Sequence, residues 1–397
     1  MAVIADVVIA GPASPKQLSR WLSESHRRRA EELPGLGGSP VNNLVHSLIE
    51  EGASVDVVTL APEVDDREVL TGPKLQIFVG PYRPAARARA RDLFRSEREH
   101  VRDLLELSIA PVVHAHWTYE FALGALASGG RPTIVHACDA PLTIFRHMPD
   151  RYRAARLALA LKARMTLSIL SAPSPYLART WRHQMLYRRD VAILPNVIFP
   201  ARRIVGCVPR DPDDEGPIIL DVSDGGRLKN AAGLINAMKL VLEVHPDARC
   251  RLVGPELTKE SHFARFARQI GIEEAVEFVG PVGWERLACE YSKATVFVHP
   301  SLEESFGMSV AEAMSYGNAV VAGSNAGAMP WILAGGDAGM LVDVRKPPAV
   351  ADAICSLLAS APRREELAKK AQQRISHFAP NVVAPLALEL YQAVQGM

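Results

Sequence analysis

The chain has 397 residues, 48% hydrophobic and 22% charged, with 45 Lys and Arg against 44 Asp and Glu and a net charge of +1. At about 150 residues per domain this is two or three domains of ordinary globular composition, which excludes a disordered, fibrous or repeat-built chain. The near-neutral balance argues against a general nucleic-acid binder, whose charge would be strongly basic.

Met1 to Gly11 has no basic region before its apolar stretch, so it reads as a buried strand and not a signal peptide. Val41 to Glu51 has helical periodicity and Gly52 stops it. Strands follow at Val55–Leu60, Leu75–Val79, Pro111–Ala115 and Thr133–Ala137. These are continuous β-branched runs bounded by Gly or Pro, the pattern of strands buried on both faces of a parallel sheet. The segment 195–216 is polar and Pro-rich, as a linker is. The pattern then restarts, with strands at Ile218–Val222, Cys250–Gly254, Val276–Gly280, Thr295–Val298 and Ala319–Ala322 and a helix from Ala231 to His245. A last helix near Val382 to Val394 offers Leu386, Leu388, Leu390 and Tyr391 for burial. The expected fold is therefore α/β, two doubly wound Rossmann-like domains. Two such domains facing each other form a cleft outside the carboxyl ends of their strands, where ligands bind in this architecture.

Five Cys (138, 207, 250, 289, 355) are scattered without a close pair. This argues against a disulfide framework and a structural zinc site, and for a reducing compartment. No apolar run reaches the ~18 residues that span a bilayer. The expected location is cytoplasmic, with peripheral membrane contact through 83–105. That segment carries seven Arg (83, 87, 89, 91, 95, 98, 102) against four acids, and Leu93, Phe94, Val101, Leu104 and Leu105 could form an apolar stripe. A basic amphipathic helix can dock on anionic lipid; a solvated, salt-bridged surface helix is the alternative.

The stretch His299 to Gly317 carries the most chemistry. It follows a strand and opens a helix near Phe306 to Ser309, where free N–H groups and the helix dipole favour an anion. Gly307 permits close backbone approach. Glu304 precedes the helix and Glu312 lies in its first turns, so each could grip a vicinal diol at one end of a nucleotide-sugar. The same residues also read as a capping box, Ser309-x-x-Glu312, with Glu304 a solvated charge. Arg227 and Lys229 open the second domain. Cleaving a nucleoside diphosphate from a sugar puts about two negative charges on the leaving group, and fixed cations stabilise that charge as it develops.

The full string Pro300-Ser301-Leu302-Glu303-Glu304-Ser305-Phe306-Gly307 to Glu312-Ala313-Met314-Ser315-Tyr316-Gly317 resembles the Glu-x7-Glu signature of retaining glycosyltransferases of family 4, which have the GT-B fold. Further matches occur in order: Gly37-Gly38 before a helix; His114-Ala115-His116-Trp117 at a strand end; Ser174 to Leu177; Ile193 to Val197 as the hinge; Arg227 to Asn230; and Val279-Gly280-Pro281-Val282 beside the nucleotide base. Departures are Trp331 where the family often has Glu, Val197 or Ile198 for the hinge Gly, an Arg–Lys spacing of two, and Cys138-Asp139-Ala140-Pro141 where many members read His-Asp-x-Pro. The neighbouring His136 could take that role. The expected division is 1–196, an acceptor-side domain; 197–378, a donor domain; and 379–397, a helix returning to the first domain.

The resemblance implies retaining transfer of a sugar from a UDP- or GDP-sugar to an acceptor hydroxyl, by a front-face route without metal or other cofactor. It gives catalytic roles to His136, Lys229, Arg227 and Glu304. It places the donor against Gly38, Arg227, Lys229, Gly280, Val282, Glu304, Ser305, Phe306, Gly307, Met308 and Glu312, with Glu312 on the ribose. His116, Cys138 and Asp139 are acceptor-side candidates. Alternatives are an epimerase or phosphorylase of the same fold, or a GT-B-like binding protein with weakened catalysis.

Metal ligation is not expected. His114 and His116 share a strand face, a spacing metals accept, but no third ligand is evident. Asp211-Pro212-Asp213 reads as a solvated linker turn. Gly35 to Pro40 resembles a dinucleotide fingerprint but has Pro where the third Gly belongs, which argues against a nicotinamide or flavin enzyme.

Overall fold

The computed structural model describes residues 5–201, 207 and 216–396. The Asp211-Pro212-Asp213 turn lies outside them. Two compact units form: Met1–Val197 with Pro380–Met397, and Ile198–Ala379.

The first unit holds β1 (Val7–Ala10), β2 (Val55–Ala61), β3 (Glu68–Thr71), β4 (Leu75–Pro81), β5 (Val113–His116), β6 (Thr133–His136), β7 (Ile169–Ala172) and β8 (Val191–Ile193). They form one sheet in the order β3-β4-β2-β1-β5-β6-β7-β8. Every pairing is parallel except β3 on β4, which is antiparallel. Every residue of β1 and β2 is buried. This follows from helices covering both faces, as the uninterrupted apolar runs require.

The second unit holds β9 (Ile218–Val222), β10 (Arg249–Val253), β11 (Val276–Gly280), β12 (Val296–His299), β13 (Ala319–Gly323) and β14 (Met340–Val342). Their order is β11-β10-β9-β12-β13-β14, all parallel. This is the doubly wound arrangement in which the order reverses between the first strand and the fourth. Ile219, Leu252, Val298 and Val321 bury against the helices Ala231–Val244 and Pro347–Leu358 on one face. Leu220, Phe297 and Val320 bury with Phe306 and Phe378 on the other.

Two expectations about surface and core change. The final helix, Pro380–Gln395, belongs to the first unit, but it buries Val383, Ala384, Ala387, Tyr391 and Val394. Leu386 is 41% exposed. Leu386, Leu388 and Leu390 alternate with period two, whereas a helix buries positions three and four apart. Segment 83–105 forms two helices, Ala86–Arg91 and Arg95–Leu105. Phe94, Val101, Leu104 and Leu105 are buried in the first unit, leaving only Leu93 of the expected lipid-facing stripe exposed. Arg83 pairs with Asp92 and Glu97, and Arg95 with Glu99. Arg89 is buried, stacked 4.3 Å over the Tyr82 ring. No described helix is long and apolar enough to cross a membrane.

Candidate functional site

In the second sheet β9 and β12 are neighbours, and the chain leaves them in opposite directions across the sheet. The loops after their carboxyl ends therefore diverge and leave a crevice. Two backbone ties fix these loops. The Leu302 N–H donates to the Leu228 carbonyl at 2.8 Å. Asn230, in the left-handed region at φ 56°, donates through Nδ2 to the carbonyls of Pro300 (3.2 Å) and Val344 (3.0 Å). The ties bring Lys229 to Glu304, with Nζ 2.5 Å from Oε1.

Glu304 also meets His299. Its Oε1 lies 2.7 Å from Nε2 of that ring, whose Nδ1 is 3.3 Å from Asp221 at the end of β9. The Ser223 hydroxyl donates to the other Asp221 oxygen at 2.9 Å. Burial disfavours each charge, but the pairings outweigh it. Burial opposes the His299 imidazolium, yet Asp221 and Glu304 raise it to about 9. The same burial opposes the Glu304 carboxylate, and Lys229 with His299 holds it well below the usual carboxylate range. Lys229 is raised above its ordinary value by Glu304 despite its own desolvation. The network is thus two cations alternating with two carboxylates. Arg227, in the 3-10 turn Arg227–Lys229, is exposed.

Glycine makes the next step possible. Gly307 caps the helix Met308–Ser315 with φ 91°, and a Cβ there would lie 2.3 Å from Met329 Cε. The first-turn amides of that helix have no intrahelical acceptor. Since the cap is Gly307, Ser309 lies inside the helix and the capping box does not form. Glu312 instead accepts from the Tyr291 hydroxyl at 2.8 Å. Burial pushes its carboxyl up to about 7, against the lowering effect of that hydrogen bond. Gly280 ends β11 at φ 74°, and Val282, Met308 and Trp331 border the cluster that contains Phe306. Trp331 packs 5.2 Å from Phe378, with the Arg374 guanidinium 5.2 Å over its ring. It serves this core in the place of the family's Glu. Ser305 is half-buried in the loop between Glu304 and Phe306.

In the first unit, Gly38 caps the helix Ser39–Glu50 at φ 80°, and a Cβ there would lie 1.7 Å from the Pro12 carbonyl oxygen. His116 and His136 are register partners at the ends of β5 and β6. Both rings are buried, only 2% exposed. His136 Nδ1 is 2.9 Å from the Ser171 hydroxyl, whereas neither ring nitrogen of His116 has a partner. Burial holds His136 down to about 3 and His116 well below the usual histidine range, with neighbouring His114 and His136 adding to it at His116. Cys138 joins this pair: the ligand atoms of His116, His136 and Cys138 all lie within 4.8 Å of one another. Among the described residues no third ligand joins the His114–His116 pair; His116 groups instead with His136 and Cys138. Asp139 accepts from the Tyr119 hydroxyl at 2.6 Å and lies 3.8 Å from Arg156.

Asp221, His299, Tyr291 and Ser171 escaped the sequence reading. For His299 the signal was present: a histidine closing a buried strand just ahead of the Glu304 loop.

Residues 40–202 match the family model Glycosyltransferase Family 4, and 209–374 match Glycosyl transferases group 1. Curated relatives include the D-inositol 3-phosphate glycosyltransferase of Corynebacterium urealyticum, 33% identical over 43% of this chain and 42% of the relative. The D-inositol 3-phosphate glycosyltransferase 2 of Catenulispora acidiphila is 31% identical over 48% of this chain and 45% of its own. The matched region thus spans less than half the length of these relatives. Among solved structures, sucrose-phosphate synthase from Thermosynechococcus elongatus has a TM-score of 0.77 at 20% identity, covering 98% of this chain and 99% of that one. Anabaena HepE in complex with UDP and glucose has a TM-score of 0.69 at 16% identity, over 98% and 99%. These likenesses establish the two-domain α/β fold with parallel sheets, the GT-B fold.

Proposed function

The chain belongs to the family 4, group 1 glycosyltransferases, and from that premise we propose that it transfers a sugar from a UDP- or GDP-sugar to an acceptor hydroxyl with retention at the anomeric carbon. The observation that carries this reading is the Lys229–Glu304–His299–Asp221 network at the switch point of the second sheet. Its cations and the free amides at Met308 suit a diphosphate, and its carboxylates suit sugar hydroxyls.

In this reading Glu312 accepts hydrogen bonds from the ribose diol. Glu304 orients the transferred sugar while holding Lys229. Lys229, Arg227 and the helix amides take up the diphosphate, whose charge grows as the anomeric C–O bond breaks. The acceptor oxygen bonds to the anomeric carbon on the same face, and its proton passes to the departing phosphate oxygen. No carboxylate nucleophile is needed. The diphosphate is held by protein groups, so nucleotide binding needs no divalent cation. The relatives' names make an inositol phosphate the first acceptor to test.

The test is a panel of UDP- and GDP-sugars, with and without acceptor, followed by NMR of the products. Retained configuration in a new glycoside, with slow donor hydrolysis when acceptor is omitted, is the expected result. Inversion at one sugar carbon would make the protein an epimerase, phosphate-dependent cleavage a phosphorylase, and binding without turnover a binding protein. Loss of nucleotide binding on chelation would overturn the metal-free diphosphate site.

A further inference from the structure

The described residues contain nine buried side-chain polar atoms without a hydrogen-bond partner. Five of them belong to His114, His116, Thr118 and Glu120, at the end of β5 and just beyond it. A buried unpaired donor or acceptor costs about 1–3 kcal/mol. Here the cost collects beside β1, where the first sheet's strand order reverses, the place where doubly wound sheets hold ligands.

His116 is the extreme case. Its ring is 2% exposed and neither nitrogen is satisfied. The adjacent ring of His136 is 4.8 Å away between centroids, and its Nδ1 is taken by Ser171, which leaves Nε2 as the ligating nitrogen. Cys138, two residues on, brings Sγ to the same place. The row His116, His136, Ser171 is built by the register of β5, β6 and β7. It is therefore rigid strand geometry and not a chance meeting of surface side chains. A histidine that needs a partner, a second histidine steadied through its far nitrogen and a thiol form the donor set of a borderline-soft divalent ion.

We propose that His116, His136 and Cys138 bind one Zn2+ ion in the first unit. Zinc bonds of about 2.1 Å to nitrogen and 2.3 Å to sulfur put tetrahedral ligands about 3.5 Å apart, so the present spread closes by about 1 Å through side-chain rotation. The two imidazoles bind as neutral lone-pair donors. The Cys138 thiol loses its proton to solvent as the S–Zn bond forms, so one proton is released per ion bound. Three protein ligands leave a fourth position for water or a substrate oxygen, as in zinc sites that do chemistry and unlike closed structural ones. The sequence does not advertise the site, because the three residues follow no close-pair motif.

The test uses the full chain, stripped with chelator and titrated with Co2+ as a spectroscopic stand-in, without any sugar nucleotide. One equivalent should produce a thiolate-to-Co2+ charge-transfer band that one equivalent of Zn2+ abolishes. Cys138→Ser should lose the band, and His116→Ala should weaken Zn2+ binding by about 100-fold or more. Circular dichroism in chelator checks that both variants fold. A measurement on the unaltered protein stands beside them: Zn2+ should protect Cys138 from alkylation by iodoacetamide, read by peptide mass spectrometry. Absence of the band at one equivalent, its survival in Cys138→Ser, or equal alkylation of Cys138 with and without Zn2+ overturns the site. None of these readouts depends on transfer activity, so the zinc site and the donor reading can fail separately.

Discussion

The ends of the two sheets place a histidine in equivalent positions and treat it in opposite ways. His299 closes β12 in the second unit, next to the strand at which the order reverses; His116 closes β5 in the first unit in the same relation to β1. Both are almost fully buried. His299 lies between two carboxylates and is raised to about 9, so it is a cation at neutral pH. His116 has histidines and a thiol around it, with no carboxylate paired to its ring, and is held neutral. One fold position thus yields a fixed positive charge in one unit and an unsatisfied neutral ligand in the other. The neighbours decide which. A charge that must not move suits the stabilisation of a departing diphosphate, whereas a neutral imidazole with a free lone pair suits a metal.

The largest expected effect breaks the charged side of this comparison. Lys229→Ala removes the cation nearest Glu304 and should lower turnover by roughly 10²–10³-fold, the scale of losing one preorganised electrostatic group. Donor binding should fall less, because leaving-group charge grows toward the transition state. Steady-state kinetics beside calorimetric donor binding separates the two. Equal losses in both would assign Lys229 to uniform binding, and the fixed-charge account of this end of the sheet would fail.

A smaller effect should come from Glu312, which burial holds near 7. Only its ionised form accepts from both ribose hydroxyls. A carboxyl raised in the free protein must lose its proton to bind, so nucleotide affinity should fall as pH drops through 7 and level off well above it. Glu312→Gln should bind weakly and lose the pH dependence, at a cost of about 1.5–3 kcal/mol, the value of a hydrogen bond to a charged group. Calorimetric titration with free nucleoside diphosphate between pH 5.5 and 8.5 measures both. An unchanged slope in Glu312→Gln would move the titrating group elsewhere.

How far the sequence reached follows the same contrast. The charged end was legible because its parts lie close together in the chain: Glu304, Gly307 and Glu312 stand within nine residues, and Arg227 to Asn230 form one turn. Strands with long β-branched runs were also legible. β3, β7, β8 and β14 were not: β8 and β14 have only three residues, β3 (Glu68–Thr71) has just two apolar residues between polar ones, and Ile169-Leu170-Ser171-Ala172 carries a polar residue in its middle. Asp221 could not be assigned, since its link to His299 spans 78 residues and exists only through the pairing of β9 with β12. The neutral end fails for a related reason. His116 and His136 meet through strand register, and periodicity within one strand cannot report a neighbour on the next. His114, the residue paired with His116 in the sequence reading, turns to the Tyr391 hydroxyl at 2.9 Å instead.

Removing each ring's polarity compares the two histidines directly, through folding stability and not through activity. His299→Leu leaves Asp221 and Glu304 buried without their shared cation. Taking one partner from such a pair costs about 3–5 kcal/mol. Because His299 is raised from 6.5 to about 9, its stabilisation is complete below pH 6.5 and disappears as pH climbs through 9. The difference between wild type and His299→Leu should therefore be largest near pH 6 and shrink toward pH 10. His116→Leu should do the reverse in chelator. It exchanges an unsatisfied neutral ring for an apolar group in a buried space, which relieves a cost of about 1–3 kcal/mol and offsets the imperfect fit of the new side chain. Its stability should match or slightly exceed wild type, by a margin that is constant from pH 8 to 10 and widens toward pH 6, where the unfolded wild-type chain protonates that ring and the folded one does not. Urea denaturation of the three proteins at pH 6, 8 and 10 decides this. A His116→Leu protein as destabilised in chelator as His299→Leu would show that the His116 ring already has a partner, and the contrast between the two sheet ends would collapse.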